Sequence, residues 1–187
     1  MYKELFFLLL RLTVSPEKTW MRLSEKQEEE TQEKFYASYL YPVIGIIALF
    51  AFAGILLKDG FNVQLGLKTV IKEVVTYFFS FYASAYVLSK LLTSYFAFPC
   101  DQQNSERFVA YSSAVIYVVA ILYSLFPSFF FLNIFALYTV YIIWQGTVYY
   151  LRLPEANWVK FTTFASLVII LMPGILAWII SKLMPGL

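Results

Sequence analysis

The longest uncharged stretch of the chain, from Phe108 to Leu151, constrains the fold more than any other feature of the sequence. A transmembrane helix needs about 20 mostly apolar residues, so this stretch is long enough to cross a bilayer twice. Pro127 lies near its middle and, as a helix breaker, separates the two crossings. The composition agrees, because 60% of the residues are hydrophobic and 14% are charged, whereas soluble domains are about 25% charged. The chain is therefore predicted to reside in a membrane.

The other uncharged stretches complete an all-α, polytopic membrane protein with five transmembrane helices. We expect one membrane domain over residues 39–187, with spans near 39–57, 70–97, 108–126, 129–150 and 161–181. The second span carries Glu73 and Lys90, which a helix would place roughly 26 Å apart along its axis. This distance favours charged groups at opposite membrane interfaces over a buried ion or proton path.

The distribution of basic residues predicts the orientation of the chain. Five crossings put the two termini on opposite sides of the membrane. Of the 14 Lys and Arg residues, ten fall on the side of the N-terminus and four on the other side. Because loops rich in Lys and Arg stay in the cytoplasm, we expect a cytoplasmic N-terminus and a C-terminus outside.

The segment before the first span, residues 1–38, is expected to form short amphipathic helices on the cytoplasmic side. Its first apolar run is too short to cross a bilayer, so we expect it to lie flat on the membrane surface. Pro16 suits the first position of a second helix, where Trp20 would anchor at the headgroups or pack against a span. The expected membrane-surface anchors are Leu5, Leu8, Leu9, Leu12 and Trp20.

Polar side chains form stripes on the predicted spans, among them Tyr77, Ser80 and Ser84 on the second. The candidate site residues on the third and fourth spans are Ser113, Tyr117, Tyr138, Tyr141, Gln145 and Tyr149. Such residues usually let helices approach closely and hydrogen-bond across their interface. The amide of Gln145 is costly to bury unpaired, so we expect it to bond to a hydroxyl of a neighbouring helix. The alternative is a polar or aromatic cavity between the third and fourth helices that holds a lipid, a hydrophobic small molecule or water.

The residue types that are missing exclude several functional classes. The sequence contains no histidine and one cysteine, Cys100. Histidine-ligated zinc, haem and di-iron sites, Ser–His and Cys–His dyads and an internal disulfide therefore cannot form. No predicted span carries two carboxylates that could act as a catalytic pair. We expect a protein that is not an enzyme, with no cofactor, no metal site and no nucleic-acid partner.

Four passages of the chain, in this order, resemble the Yip family of integral membrane proteins in the form found in bacteria and archaea. They are LTVSPEKTW at 12–20, YPVIGIIAL at 41–49, RFVAYSSAVIYV at 107–118 and YTVYIIWQGTVYYLRLPE at 138–155. The family is named for interaction with Ypt/Rab GTPases. The resemblance implies a five-span bundle with a cytoplasmic N-terminus, and hence a protein of the bacterial cytoplasmic (inner) membrane.

Two departures from the family pattern argue against binding of a Rab GTPase. Ala114 and Val115 follow the Tyr-Ser segment where many members carry a proline. Eukaryotic members also have a long cytosolic tail with an Asp-Leu-Tyr-Gly-Pro type motif, and this sequence has neither. The expected partners are therefore membrane lipids and other membrane proteins, and a homo-oligomer is left open.

The favoured function is a scaffold or adaptor that organises other membrane proteins or the bilayer itself. The alternative is a small transporter or channel. Coupled transporters typically have intramembrane acids, paired discontinuous helices and an inverted repeat, and the sequence displays none of these features. A closed, aromatic-filled bundle would favour the scaffold, whereas a continuous polar cavity would favour the transporter.

The predicted orientation can be tested at Cys100, which lies in the loop after the second span. A membrane-impermeant thiol reagent should label this cysteine only after the membrane is opened, because the loop is expected on the cytoplasmic side. Labelling is compared in intact cells, or right-side-out vesicles, before and after permeabilisation. Labelling of the sealed preparation would overturn the orientation.

Overall fold

A computed structural model describes residues 2–26, 31–59, 62–126, 128 and 130–183. This part of the chain is almost entirely helical and contains no strand, which confirms the predicted all-α class. The α-helices are α1 (Tyr2–Val14), α2 (Pro16–Glu25), α3 (Gln32–Phe35), α4 (Tyr41–Asp59), α5 (Val63–Lys90), α6 (Gln102–Ser112), α7 (Ala114–Leu125), α8 (Thr139–Tyr149) and α9 (Glu155–Leu183). Tyr36–Leu40 and Leu91–Tyr95 are π-helical, and Phe130–Tyr138 is a 3-10 helix.

Three helices of the described chain are long and apolar enough to cross a membrane. They are Gln32–Lys58, Phe131–Tyr149 and Glu155–Leu183. Helices α6 and α7 meet at 45° and are together long and apolar enough to cross a membrane. If this bent pair forms one span, the described chain has four. Helix α5 has the length of a span but is not among them, because its hydroxyl-bearing and charged side chains lower its hydropathy. The count of five spans therefore stays a prediction.

Helix α5 occupies the middle of the bundle, where it packs against α4, α6 and α9. Because protein surrounds it on these sides, it can bury hydroxyl groups, and Thr76, Ser80 and Ser84 are all buried. Helix α4 also packs against α7. These two helices approach so closely that a Cβ at Gly54 would overlap the backbone carbonyl of Ser124. Glycine is thus needed at position 54 for the backbones to meet.

The two amino-terminal helices also pack on the bundle: α1 contacts α7, and α2 contacts α8. The predicted anchor leucines face protein, because Leu5, Leu9 and Leu12 are buried and Leu8 is packed against the same core. The apolar side chains that α1 leaves exposed lie on its other faces, and they include Phe6, Phe7, Leu10 and Val14. A bilayer would therefore meet these side chains of α1 rather than the four leucines.

Two helices, Leu91–Tyr95 and α8, are followed within three residues by a residue with left-handed backbone. Ala97 has a φ of 49° and Arg152 a φ of 53°. At the first of these ends the Phe98 amide donates to the Leu92 carbonyl at 3.0 Å, and at the second the Leu153 amide donates to the Thr147 carbonyl at 3.3 Å. These bonds satisfy carbonyl groups that the helix ends leave free. Glycine is the residue that usually adopts this conformation.

The loop between Ala97 and α6 contains Cys100, whose thiol lies 3.4 Å from the Ser105 hydroxyl oxygen. Burial raises the pKa of the Cys100 thiol above its ordinary value, and the hydrogen bond with Ser105 opposes this effect. The thiolate is the reactive form, so less of it is present near neutral pH. Labelling of Cys100 should therefore accelerate as the pH is raised, and a labelling experiment is best run above neutrality.

Replacement of Ala97 by Gly should stabilise the protein by about 0.5–1 kcal/mol. Left-handed backbone costs a non-glycine residue roughly 1–2 kcal/mol, which glycine avoids. The unfolded chain has more entropy with glycine, and this offsets about half of the gain in stability. Ala97 is exposed, so no packing is lost. The matched control is Ala83→Gly inside α5, which should lower stability by about 0.5–1 kcal/mol. Thermal unfolding in one detergent compares the two variants, and a lower stability of Ala97→Gly would contradict the strain argument.

Candidate functional site

A small cavity lined by hydroxyl-bearing and apolar residues lies between α5, the α6–α7 pair and α9. Its volume is about 10 Å³. Hydroxyl groups of Ser80 and Ser84 on α5 and of Ser113 and Tyr117 on the third predicted span line it, and Pro173 of α9 closes it. A space of this size is close to the smallest that can hold one water molecule. The cavity thus provides room for a single water among several polar groups.

Pro173 of α9 gives this cavity a structural role. Pro173 lies inside α9 and has no amide hydrogen, so the Ile169 carbonyl loses its usual intrahelical donor. Ile169 and Pro173 both line the cavity. The hydroxyls of Ser80 and Ser113 donate to carbonyls of their own helices, at 2.6 and 2.8 Å. A water molecule in the cavity could supply the missing donor, as waters commonly do at proline kinks in membrane helices.

Further hydroxyl groups are buried on the same three helices. Thr76 of α5, Ser112 of α6 and Ser166 of α9 have side-chain oxygens with no hydrogen-bond partner among the described residues. A buried hydroxyl that lacks a partner costs free energy, on the order of 1–3 kcal/mol in mutational data. These groups make the interface of α5, α6 and α9 unusually polar for a membrane bundle.

The structure brings together some of the predicted site residues and separates the others. Ser113 and Tyr117 line the central cavity with the stripe on α5. The candidate residues on or just before α8 do not line this cavity. Tyr141 is exposed and contacts Tyr138 with ring centroids 5.5 Å apart, while the half-buried side chain of Gln145 makes no hydrogen bond to another described residue. This cavity therefore lies against α9, and not between the third and fourth predicted spans.

Trp20 of α2 is fully buried and joins the amino-terminal helices to the bundle. Its indole nitrogen donates a hydrogen bond of 3.0 Å to the Ile142 carbonyl of α8. The indole stacks on Phe108 with centroids 5.6 Å apart and contacts Tyr150 at 5.2 Å. Of the two environments predicted for Trp20, headgroups or a packed span, the side chain thus lies in the second.

Gly146 of α8 makes room for this indole. A Cβ at position 146 would lie 2.8 Å from ring atoms of both Trp20 and Phe108. Real Cβ atoms essentially never come so close to another heavy atom, and both rings are fully buried, so neither can swing away. The aromatic contact at the end of the bundle therefore depends on the missing side chain of Gly146.

Polar contacts at the edge hold α2 against the end of α8. The Tyr149 hydroxyl donates to the Glu17 carboxylate at 3.0 Å, and Arg152 donates to the Ser24 hydroxyl at 2.9 Å. Both contacts are exposed to solvent, so each adds little to stability compared with the buried indole. Tyr149, which was expected on a polar stripe, thus belongs to the contact between α2 and α8.

A buried charged cluster on α6 was not singled out from the sequence. The Glu106 carboxylate accepts hydrogen bonds from the Gln32 amide at 2.6 Å, from the Tyr36 hydroxyl and from the Gln102 amide at 3.3 Å. The neighbouring Arg107 donates to the Gln32 side-chain oxygen at 3.1 Å and lies over the Phe35 ring. Both charged residues are buried. An acid and a base side by side, at the start of a long uncharged stretch, are the signal that identifies this cluster.

One of three comparisons with known proteins gives a match, and it covers nearly the whole chain. The family model described as the Yip1 domain matches residues 10–185. Neither a curated protein nor a solved structure matches the chain. Trp20, Gly146, the buried charged cluster and the residues of the central cavity all lie within the matched range.

Replacement of Gly146 by Ala should loosen the amino-terminal helices. The added methyl group would collide with the Trp20 and Phe108 rings, and overpacking of this kind typically costs about 1–3 kcal/mol. Limited proteolysis between α2 and α3 and thermal unfolding in detergent measure the effect. The matched control is Gly45→Ala, where an added Cβ meets nothing within 4 Å. Equal protease resistance of the two variants would show that the indole does not depend on Gly146.

Proposed function

The chain belongs to the Yip family of integral membrane proteins, and we propose that it acts there as a non-enzymatic scaffold or adaptor that organises other membrane proteins or the bilayer. The same proposal places it in the bacterial cytoplasmic membrane, with five spans, a cytoplasmic N-terminus and an external C-terminus. Helix α5 supplies the additional span, because its 28 residues are enough to cross the hydrocarbon core. The bias of Lys and Arg supports the orientation.

The observation that carries the proposal is the small size of the cavity between α5, the α6–α7 pair and α9. A transporter or channel needs a polar path, or a site large enough for its substrate, near the middle of the membrane. The cavity at this place has a volume of about 10 Å³, which one water molecule fills. Phe81 lines the cavity and is fully buried, and Phe108 and Phe161, also fully buried, contact each other nearer to Trp20. This packing supports a protein that works through its outer surface.

The outer face of α4 is the part of that surface best shaped for a partner helix. Tyr41, Gly45 and Leu49 lie one turn apart on this face, and all three are exposed. They line a shallow surface depression together with Ala37 and Pro42. An added Cβ at Gly45 would meet nothing within 4 Å, so a second helix could approach the backbone closely at this point, as helices in membranes commonly do at glycine.

A photocrosslinking amino acid at Leu49 tests the proposal in native membranes. We expect a protein adduct of defined mass, because the face around Gly45 would contact a partner membrane protein. The matched control is the same substitution at Leu171, an exposed apolar position on α9. Gly45→Trp should abolish the adduct by filling the depression, whereas Gly174→Trp, at another glycine with open space, should leave it unchanged.

Two outcomes would contradict the scaffold. The first is the formation of lipid adducts alone at Leu49, with the same pattern as at Leu171. The second is a solute flux in proteoliposomes that disappears when Ser84→Leu fills the central cavity in a protein of unchanged stability. That second result would favour the transporter.

A further inference from the structure

An apolar groove separates α1 from the two helices beside it. Its volume is about 400 Å³, which lies within the range of roughly 300–1,000 Å³ typical of ligand sites. Leu5, Leu9 and Leu10 of α1 form one wall, Ile46 of α4 the second, and Val118 and Leu122 of α7 the third. The walls from α4 and α7 belong to segments that are apolar enough to cross the membrane, Gln32–Lys58 and the α6–α7 pair.

The groove lies beside two segments apolar enough to cross the membrane, so we expect it at the depth of the hydrocarbon core. Trp20, next to α1 in the chain, stacks on Phe108 at the start of the third span. Val118 and Leu122 lie ten and fourteen residues further along that span, which corresponds to roughly 15–21 Å along a helix. Helix α1 has 13 residues and a length of about 20 Å, so it extends from the level of Trp20 alongside α7 into the membrane. The helix is thus positioned beside the spans and is long enough to reach about the middle of the membrane.

The chemistry of the groove suits a hydrocarbon chain. Among the side chains that the structure describes in its lining, Thr13 has the one hydroxyl group, and this hydroxyl already donates to the Leu9 carbonyl at 2.9 Å. A water molecule needs two to four polar partners, and this lining offers too few. The groove is open to the surroundings at its rim, where Phe6, Leu10 and Leu122 are exposed.

A positive charge lies at the end of α1 nearer to Trp20. Arg11 is exposed, and its guanidinium makes no hydrogen bond or ion pair with another described residue. Its position corresponds to the level where a lipid entering the groove would carry its headgroup. A basic side chain near the membrane surface attracts anionic lipids, so Arg11 favours a phospholipid with a net negative charge.

We propose that the groove between α1, α4 and α7 is a binding site for one acyl chain of an anionic phospholipid, taken from the leaflet on the side of Trp20. The apolar walls at hydrocarbon depth bind the chain, and Arg11 binds the phosphate. Helix α1 would then be held to the bundle partly through this lipid. The inference goes beyond the scaffold role and does not depend on it, since any function of the bundle is compatible with a bound lipid.

The test uses the purified full-length chain in phosphatidylcholine nanodiscs that contain a minor fraction of phosphatidylglycerol with a diazirine on one acyl chain. After illumination, the labelled residues are mapped by mass spectrometry. We expect the label to concentrate on the groove walls, with less on Leu171 and Trp178 of α9, which are more exposed than Leu10 and Leu122. Arg11→Gln should reduce the groove label by about fivefold, and the same probe with a phosphatidylcholine headgroup should show no such dependence.

Two substitutions that add bulk separate a bound lipid from the lipid that surrounds every membrane protein. Val118→Trp should remove the groove label by filling the site, and Leu10→Trp, at the exposed rim on α1, should do the same without disturbing a packed span. The control is Leu167→Trp, an exposed position on α9, which should leave the groove label unchanged. Label spread in proportion to exposure, or a groove label that neither filling variant changes, would overturn the proposal. Crosslinks between α1 and a second copy of the chain would assign the groove to an oligomer interface and also overturn it.

Discussion

The contact between the Trp20 indole and Gly146 connects the amino-terminal helices to the membrane bundle. A buried tryptophan removes about 150–250 Å² from water, which corresponds to roughly 4–6 kcal/mol as an upper estimate. The bonds of Tyr149 and Arg152 to α2 lie at its exposed edge and contribute less. The position of α2 thus depends mainly on this aromatic contact, and α1, next to it in the chain, is held in addition by its buried Leu5, Leu9 and Leu12.

The positions of the polar groups in the bundle follow the free energy that it costs to bury them. Charged side chains are the most expensive to bury, and Glu106 and Arg107 lie at the end of the third span, where Gln32 bonds to both. Hydroxyl groups are less costly to bury and line the cavity beside Pro173 of α9. This arrangement leaves the middle of the bundle without a charged pathway among the described residues, in agreement with a protein that acts through its surface.

Much of the helix pattern could be predicted from the uncharged windows. The predicted spans 39–57 and 161–181 fall inside Gln32–Lys58 and Glu155–Leu183. The second predicted span, 70–97, is less accurate: α5 begins at Val63, since the Asn62 side chain accepts a hydrogen bond from the Leu65 amide and caps the helix there. Helical periodicity identified the polar stripes on α5 and on the third span. It could not indicate which helix they face, because periodicity describes one helix at a time.

The sequence by itself determined that this chain is helical, apolar and membrane-embedded, and that it lacks the residues for histidine chemistry. These properties depend on composition and on the spacing of charges, which are local. The tertiary structure decided that α9 closes the central cavity, that Gly146 admits the Trp20 ring and that α1 lies along α7. Each of these depends on contacts between residues far apart in the chain, such as Trp20 and Ile142. Helix packing selects such contacts through the shapes of side chains on both partners, and a single sequence does not record which surfaces meet.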